Sequence, residues 1–265
     1  MESGYVDVDG GKLFYDMAGQ GPNIVLLHDG MVHREIWDEQ FQVLARNYRV
    51  VRYDRRGFGK SSDPTLPYSH IDDLNRVFSQ LKIDRAIIFG MSSGGGLAID
   101  FTLKYPEKVV GLVLVGAVVG GLGYTAHMGT RGGHLIPLSE RSDNQKLVKY
   151  YVMDDPFEIY RENIQTKERV MKMIQPYTLT DRGEGIAVKR PDRMALGFLH
   201  EISVPTLILV GEFDIPDVHA HAGAINAGIS GSSRLIIAGS GHLIPMEQPK
   251  LFNAAVANFL KWFPR

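Results

Sequence analysis

The chain contains no cysteine, so it forms no disulfide, presents no thiolate nucleophile and builds no Cys-ligated zinc site. Any side-chain nucleophile must be a hydroxyl, a carboxylate or an amine. An excess of one charge is also missing: 29 Lys and Arg stand against 30 Asp and Glu, a net charge of −1, without the basic surplus expected of a nucleic-acid binder. Long apolar runs are absent as well. The longest, Val109 to Gly123, is interrupted by five glycines and falls short of the roughly 20 residues of a membrane span. It reads as a buried strand running into a loop, and no membrane partner is expected. Met1 to Gly21 is polar, Gly-rich and acidic, without the basic stretch and apolar core of a secretory signal, so the expected location is cytoplasmic.

What is present has the composition of an ordinary globular protein, 44% hydrophobic and 22% charged over 265 residues. That length suits one large α/β domain with an insertion. Tyr5 to Val8 and Leu13 to Ala18 read as a hairpin around Asp9-Gly10-Gly11, whose residues supply the positive φ values of a tight turn. Short apolar runs at Ile24 to Leu27, Tyr48 to Tyr53, Ala86 to Phe89 and Val109 to Val115 alternate with helical patterns. One of those helices starts at Ser69, a suitable N-cap. This rhythm predicts a mostly parallel central sheet of about eight strands with helices on both faces. It breaks at Gly116 to Gly133, which holds seven glycines. Two amphipathic helices, Ser142 to Met153 and Phe157 to Ile174, follow with no strand between them. The rhythm resumes at Thr206 to Val210, with a helix near Asp217 to Ala227, a strand at Arg234 to Ala238 and a closing helix from Pro249 to Phe263. We therefore expect a single domain with a core of 1–118 and 199–265 and an inserted helical cap of 119–198.

The sharpest chemical signal is Gly90-Met91-Ser92-Ser93-Gly94, a G-x-S-x-G pattern directly after an apolar strand and directly before a helix. The pentapeptide alone is weakly specific; its strand-turn-helix context carries the weight. A serine hydroxyl needs a base within hydrogen-bond reach and a carboxylate to orient that base. Gly211-Glu212-Phe213-Asp214 ends one strand and Gly239-Ser240-Gly241-His242 follows another. In a parallel sheet the carboxyl ends of strands share one edge, which brings Ser92, Asp214 and His242 to one rim, with Glu212 and Asp217 as alternative acids. His28 reads as a buttress rather than a base. Asp217-Val218-His219-Ala220-His221 is not a metal site by spacing, since i and i+2 on a helix point apart, and no metal is expected. Arg55 and Arg56 read as a solvated or loop-bracing pair rather than an anion site.

These blocks together resemble the α/β-hydrolase fold superfamily over essentially the whole chain. Leu26-Leu27-His28-Asp29-Gly30 is similar to that family's strand and H-G-x oxyanion loop, and Asp54-Arg55-Arg56-Gly57-Phe58-Gly59-Lys60-Ser61 to its D-x-R-G-x-G-x-S loop. Val210 to Asp214 and Gly241-His242 resemble its acid and histidine segments. The resemblance implies Ser92 as nucleophile, Asp214 as acid and His242 as base, an oxyanion hole of the Gly30 and Ser93 backbone N–H groups, and no cofactor. It implies a serine hydrolase of small carboxylic esters, with lactonase, carbon–carbon bond hydrolase and a ligand receptor of low turnover as alternatives. Asp29 departs from the pattern, which has glycine there; a carboxylate facing the site would disfavour an oxyanion, so it is expected to point away and hydrogen-bond neighbouring backbone. Met31, His33, Trp37 and the Gly-rich approach to the cap are candidate substrate-wall residues by position. The methionines Met128, Met153, Met171, Met173 and Met194 would give the cap adaptable apolar surface.

Overall fold

The computed structural model describes residues 1–130, 149–160, 162–174 and 188–263. Eight strands, β1 (Glu2–Val8), β2 (Gly11–Ala18), β3 (Asn23–Leu27), β4 (Arg49–Tyr53), β5 (Ala86–Met91), β6 (Val109–Val115), β7 (Thr206–Gly211) and β8 (Ser233–Ile237), form one sheet. Their order is β1-β2-β4-β3-β5-β6-β7-β8. Only β2 runs antiparallel to its neighbours; every pairing from β4 to β8 is parallel. The opening hairpin turns at Gly10, with φ of 75°.

Side chains alternate between the faces of the sheet, and both faces are apolar because helices cover both. Val25, Leu27 and Ile88 pack with Leu74 and Phe78 of α2 (His70–Gln80), Phe101 of α3 (Ser93–Lys104) and Ile225 of a helix at Pro216–Gly228. Their strand neighbours Ile24, Leu26 and Phe89 point the other way, toward Phe41 of α1 (Asp38–Leu44) and Phe252 of the closing helix Pro249–Leu260. Each such fully buried side chain is worth about 1.5–3 kcal/mol, which fixes the register of the sheet and hence of the turns at its rim. Ser69 caps α2 as expected, its Oγ accepting from Asp72 N at 3.2 Å.

Between β6 and β7 the described residues include α4 (Ala126–Thr130), a π-helical turn at Tyr150–Asp154, α5 (Ile164–Ile174) and a 3₁₀ segment at Ala195–Glu201. Most of the helix expected over Ser142 to Met153 lies outside the described residues, and one sequence expectation changes here. The helix expected from Phe157 starts only at Ile164, because the Asp155 carboxylate takes the N–H groups of Phe157 (2.8 Å) and Glu158 (3.2 Å) in a side-chain turn. The carbonyls of Phe157 and Glu158 are meanwhile committed to the backbone N–H of His242.

Candidate active site

Ser92 stands between β5 and α3 with φ 52° and ψ −116°. A non-glycine residue there is strained, at a cost of about 1–3 kcal/mol. Its neighbours hold it in that position. Ser92 N donates to Val115 O at 2.8 Å, and Ser92 O accepts from Gly95 N and Gly96 N at 2.9 and 3.1 Å. Gly94 has no room for a side chain, since a Cβ there would strike the His28 carbonyl oxygen. The tight turn lifts the serine hydroxyl to the rim, where it is partly accessible.

Asp214 and His242 leave the ends of β7 and β8, and Asp214 Oδ2 lies 2.7 Å from His242 Nδ1. Both are buried. Burial pushes the imidazole pKa down, but the charge and hydrogen bond of Asp214, joined by the fields of Glu158 and Asp29, outweigh it and raise the pKa above the ordinary 6.5. Gly116 makes room for the ring: a Cβ at this φ 51° position would lie 2.9 Å from His242 Cε1. The histidine turn is held by Glu247, a residue the sequence reading did not single out. Its carboxylate accepts from Gly241 N and Leu243 N at 3.1 Å and from Tyr160 N at 2.6 Å. Burial outweighs these bonds and pushes its pKa up to about 7. Tyr160 stacks on Phe213 at 4.6 Å, so residues 157–160 are bound to both the acid and the histidine turns. The alternative acids are engaged elsewhere: Glu212 accepts from Gly239 N, and Asp217 from Thr125 N and Oγ1.

At the end of β3, the Asp29 carboxylate accepts from Met31 N (3.0 Å) and Val32 N (2.7 Å), the backbone engagement expected of it. Contrary to the expectation that it points away from the site, the residue borders the cavity, because the turn that supplies its two donors lies at the cavity edge; burial raises its pKa against those two bonds. That cavity, of about 230 Å³, is bordered by Asp29, Gly30, Ser92, Asp214 and His242 on the sheet side. Met31, Val118, Tyr124, Met128, Tyr151 and Glu158 also border it, with Ile215 and Val218 near Asp214 in the chain.

Of the three wall residues expected from position, Met31 borders this cavity. Trp37 does not: it sits in the 3₁₀ turn Arg34–Trp37, wholly buried, with its ring 5.9 Å from Phe252. A large indole at the start of an amphipathic helix gains more by facing the sheet than by facing solvent. His33 is likewise buried and is not among the described residues bordering the cavity. Ile215 and Val218 were missed although each lies within four residues of Asp214. The Gly-rich approach to the cap, also expected as wall from its position, contributes Val118, Tyr124 and Met128, whereas Tyr151 and Glu158 were not expected. Among the described residues no group of three or more His, Asp or Glu side chains could hold a metal ion, and no helix is long and apolar enough to cross a membrane.

The chain is similar to known proteins in both sequence and fold. The sequence is similar to a 2-hydroxy-6-oxononadienedioate/2-hydroxy-6-oxononatrienedioate hydrolase of Pseudomonas putida, 32% identical with 94% of this chain and 92% of that protein covered. The fold is similar to an esterase from Exiguobacterium antarcticum, with a TM-score of 0.82, 25% identity and coverage of 98% and 100% of the two chains. It is also similar to Est816, described as an N-acyl homoserine lactone degrading enzyme, with a TM-score of 0.77, 26% identity and coverage of 97% and 100%. The sequence model of the alpha/beta hydrolase family matches residues 24–255, a span that runs from β3 through the Ser92 turn to the closing helix, and the chain belongs to that family.

Proposed function

We propose that the protein is a serine hydrolase that cleaves small carboxylic esters through an acyl-enzyme on Ser92. The observation that carries this reading is the strained serine turn opening into the same cavity as the 2.7 Å Asp214–His242 pair. His242 Nε2 takes the proton of Ser92 Oγ as that oxygen attacks the acyl carbon, while Asp214 holds the Nδ1–H tautomer and stabilises the imidazolium. Among the described residues Ser92 Oγ and His242 share no hydrogen bond, and such contacts tighten when substrate binds. The oxyanion is stabilised by the N–H groups of Gly30 and Ser93. The imidazolium returns its proton to the leaving alcohol. Water, deprotonated by the same imidazole, then releases the acid and restores the serine. No cofactor enters these steps, and the reading goes with a cytoplasmic, non-membrane protein acting on small molecules.

The cavity volume lies below the roughly 300–1,000 Å³ of sites for drug-sized ligands, which favours short substrates. Asp29 and Glu158 border it, and no Lys or Arg does so among the described residues. That lining suits a neutral ester better than a dicarboxylate of the kind named for the Pseudomonas relative. A lactone is the second reading, supported by the likeness to Est816. The test is hydrolysis of p-nitrophenyl esters from acetate to decanoate. Turnover peaking at a short acyl chain and falling on the order of 10⁶-fold in Ser92→Ala is the expected result. Turnover that survives in a folded Ser92→Ala variant would reject the nucleophile. Failure on all esters with rapid lactone opening favours the second reading, and a nearly single-turnover reaction favours a ligand receptor.

A further inference from the structure

We infer that Arg55 is a positioning residue for the oxyanion hole: its buried guanidinium ties the Asp29 carbonyl to the Ser93 side chain and so aims the Gly30 and Ser93 N–H groups. The inference rests on the ester-hydrolase reading above. Arg55 leaves the end of β4 and is 5% exposed. Its Nη2 donates both to the Asp29 carbonyl oxygen and, at 2.9 Å, to Ser93 Oγ. Its backbone N–H donates to His28 Nε2 at 2.9 Å, and His28 Nδ1 lies 2.8 Å from the same Asp29 carbonyl. Because Nε2 accepts, the imidazole proton is on Nδ1 and points at that carbonyl. Two donors therefore hold one peptide oxygen.

That peptide joins Asp29 to Gly30. A trans peptide is planar, with its C=O and N–H pointing in opposite directions. Holding the Asp29 oxygen toward Arg55 and His28 thus turns the Gly30 N–H the other way, toward the cavity that Asp29, Gly30 and Ser92 border. On the second arm Ser93 is the first residue of α3, and anchoring its Oγ steadies the turn that carries its N–H.

The neighbouring Arg56 shows what an ordinary bracing arginine looks like here: it pairs with both carboxylate oxygens of Asp73, at 2.7 and 2.8 Å. Among the described residues Arg55 has no carboxylate within ion-pair distance, although the Asp29 carboxylate acts on it electrostatically from further away. Its guanidinium lies 5.1 Å from the Phe58 ring, and its Nε has no hydrogen-bond partner. A buried cation without a paired anion is unfavourable unless something else uses its charge. Behind an oxyanion hole, that charge is fixed in advance near the place where negative charge develops in the reaction.

The experiment compares Arg55→Met, Arg55→Lys and Ser93→Ala by steady-state hydrolysis of the best p-nitrophenyl ester. A second readout is the rate at which a fluorophosphonate labels Ser92, since its phosphoryl oxygen occupies the same hole. Arg55→Met is expected to lower kcat about 10²-fold with little change in KM, and to slow labelling by a similar factor. Arg55→Lys should recover part of both losses, and Ser93→Ala should add little to Arg55→Met in the double variant. A folded Arg55→Met within about twofold of wild type in both readouts overturns the inference, as does a change confined to KM. Should Arg55→Met fail to fold, wild-type kcat in both Arg55→Lys and Ser93→Ala overturns it. Wild-type protein with neither Ser92-dependent turnover nor labelling overturns the ester-hydrolase reading itself, and is recognised without any Arg55 variant.

Discussion

Ser92, Gly30, Asp214 and His242 stand on turns that leave the ends of sheet strands, whereas Tyr124, Met128, Tyr151 and Glu158, bordering the same cavity, come from the stretch between β6 and β7. The first group is located by strand register, with β3, β5 and β7 buried and β8 largely exposed, and by backbone hydrogen bonds at the turns. The second is held through contacts to other elements, among them Tyr124 against His221, its neighbour Thr125 on Asp217, and the clamp of residues 157–160 on His242 and Glu247. On the proposed reading, chemistry rests on groups set by strand register, and substrate choice on groups held through contacts between elements. Changes on the sheet side should act on kcat, and changes in the second group on KM, chain-length preference and the pH profile.

The largest effect that would test this division, short of removing the nucleophile, is expected from Asp214→Asn. An amide can hold the ring but favours the wrong tautomer, so kcat should fall about 10⁴-fold with KM little changed. The pH profile sharpens the test. A cationic imidazole cannot accept the Ser92 proton, so activity should rise with pH through the His242 pKa, which in the wild type lies above 6.5. Removing the anion takes away the main stabilisation of the cation, and the rising limb should move to lower pH.

Next in size is Gly116→Ala. The added Cβ would lie 2.9 Å from His242 Cε1 and 3.0 Å from Nδ1, at a φ of 51° that alanine disfavours. The ring must move off Asp214, and a displacement of about 1 Å can cost about 10²-fold in rate. Wild-type kcat in a folded variant would mean that the sheet side tolerates movement, and the comparison would fail.

The same division explains what was legible in the sequence. Strand-end turns need particular residues: Gly90 and Gly94 because a Cβ would meet backbone, and Asp214 and His242 because they must pair. Such constraints leave local patterns that can be read. Trp37 misled because position after the oxyanion loop says nothing about direction, and burial against Phe252 decided it. Phe157 to Tyr160 looked helical from its periodicity, but tertiary demands on its carbonyls and the Asp155 turn prevailed. Glu247 and Arg55 were obscured for a related reason: each acts through partners remote in sequence, among them Tyr160 for the first and Asp29 and Ser93 for the second.

A smaller effect is expected from Glu158→Gln. Its carboxylate is one of the charges that hold the His242 pKa up, yet it comes from the stretch between β6 and β7. Neutralising it destabilises the imidazolium, so the rising limb of kcat/KM should shift toward lower pH while kcat on the plateau changes little. An unchanged limb would separate the wall from the base and sharpen the division further. A collapse of plateau kcat would assign Glu158 to the chemistry instead.

The smallest and most specific effect should come from Met128→Ala. Met128 lies on the short α4 and borders the cavity, while packing against the apolar cluster that includes Val218. Its unbranched side chain fills space without directing chemistry. Shortening it opens room for extra methylenes, each worth about 1–3 kcal/mol in a well-formed apolar pocket. The optimum in either the acyl series or a matching alcohol series should therefore move to longer chains, with kcat on the shortest ester nearly unchanged. The series that moves identifies which half of the ester faces α4. If neither moves and kcat falls instead, α4 supports the serine side rather than the substrate wall, and the division between the two regions is drawn in the wrong place.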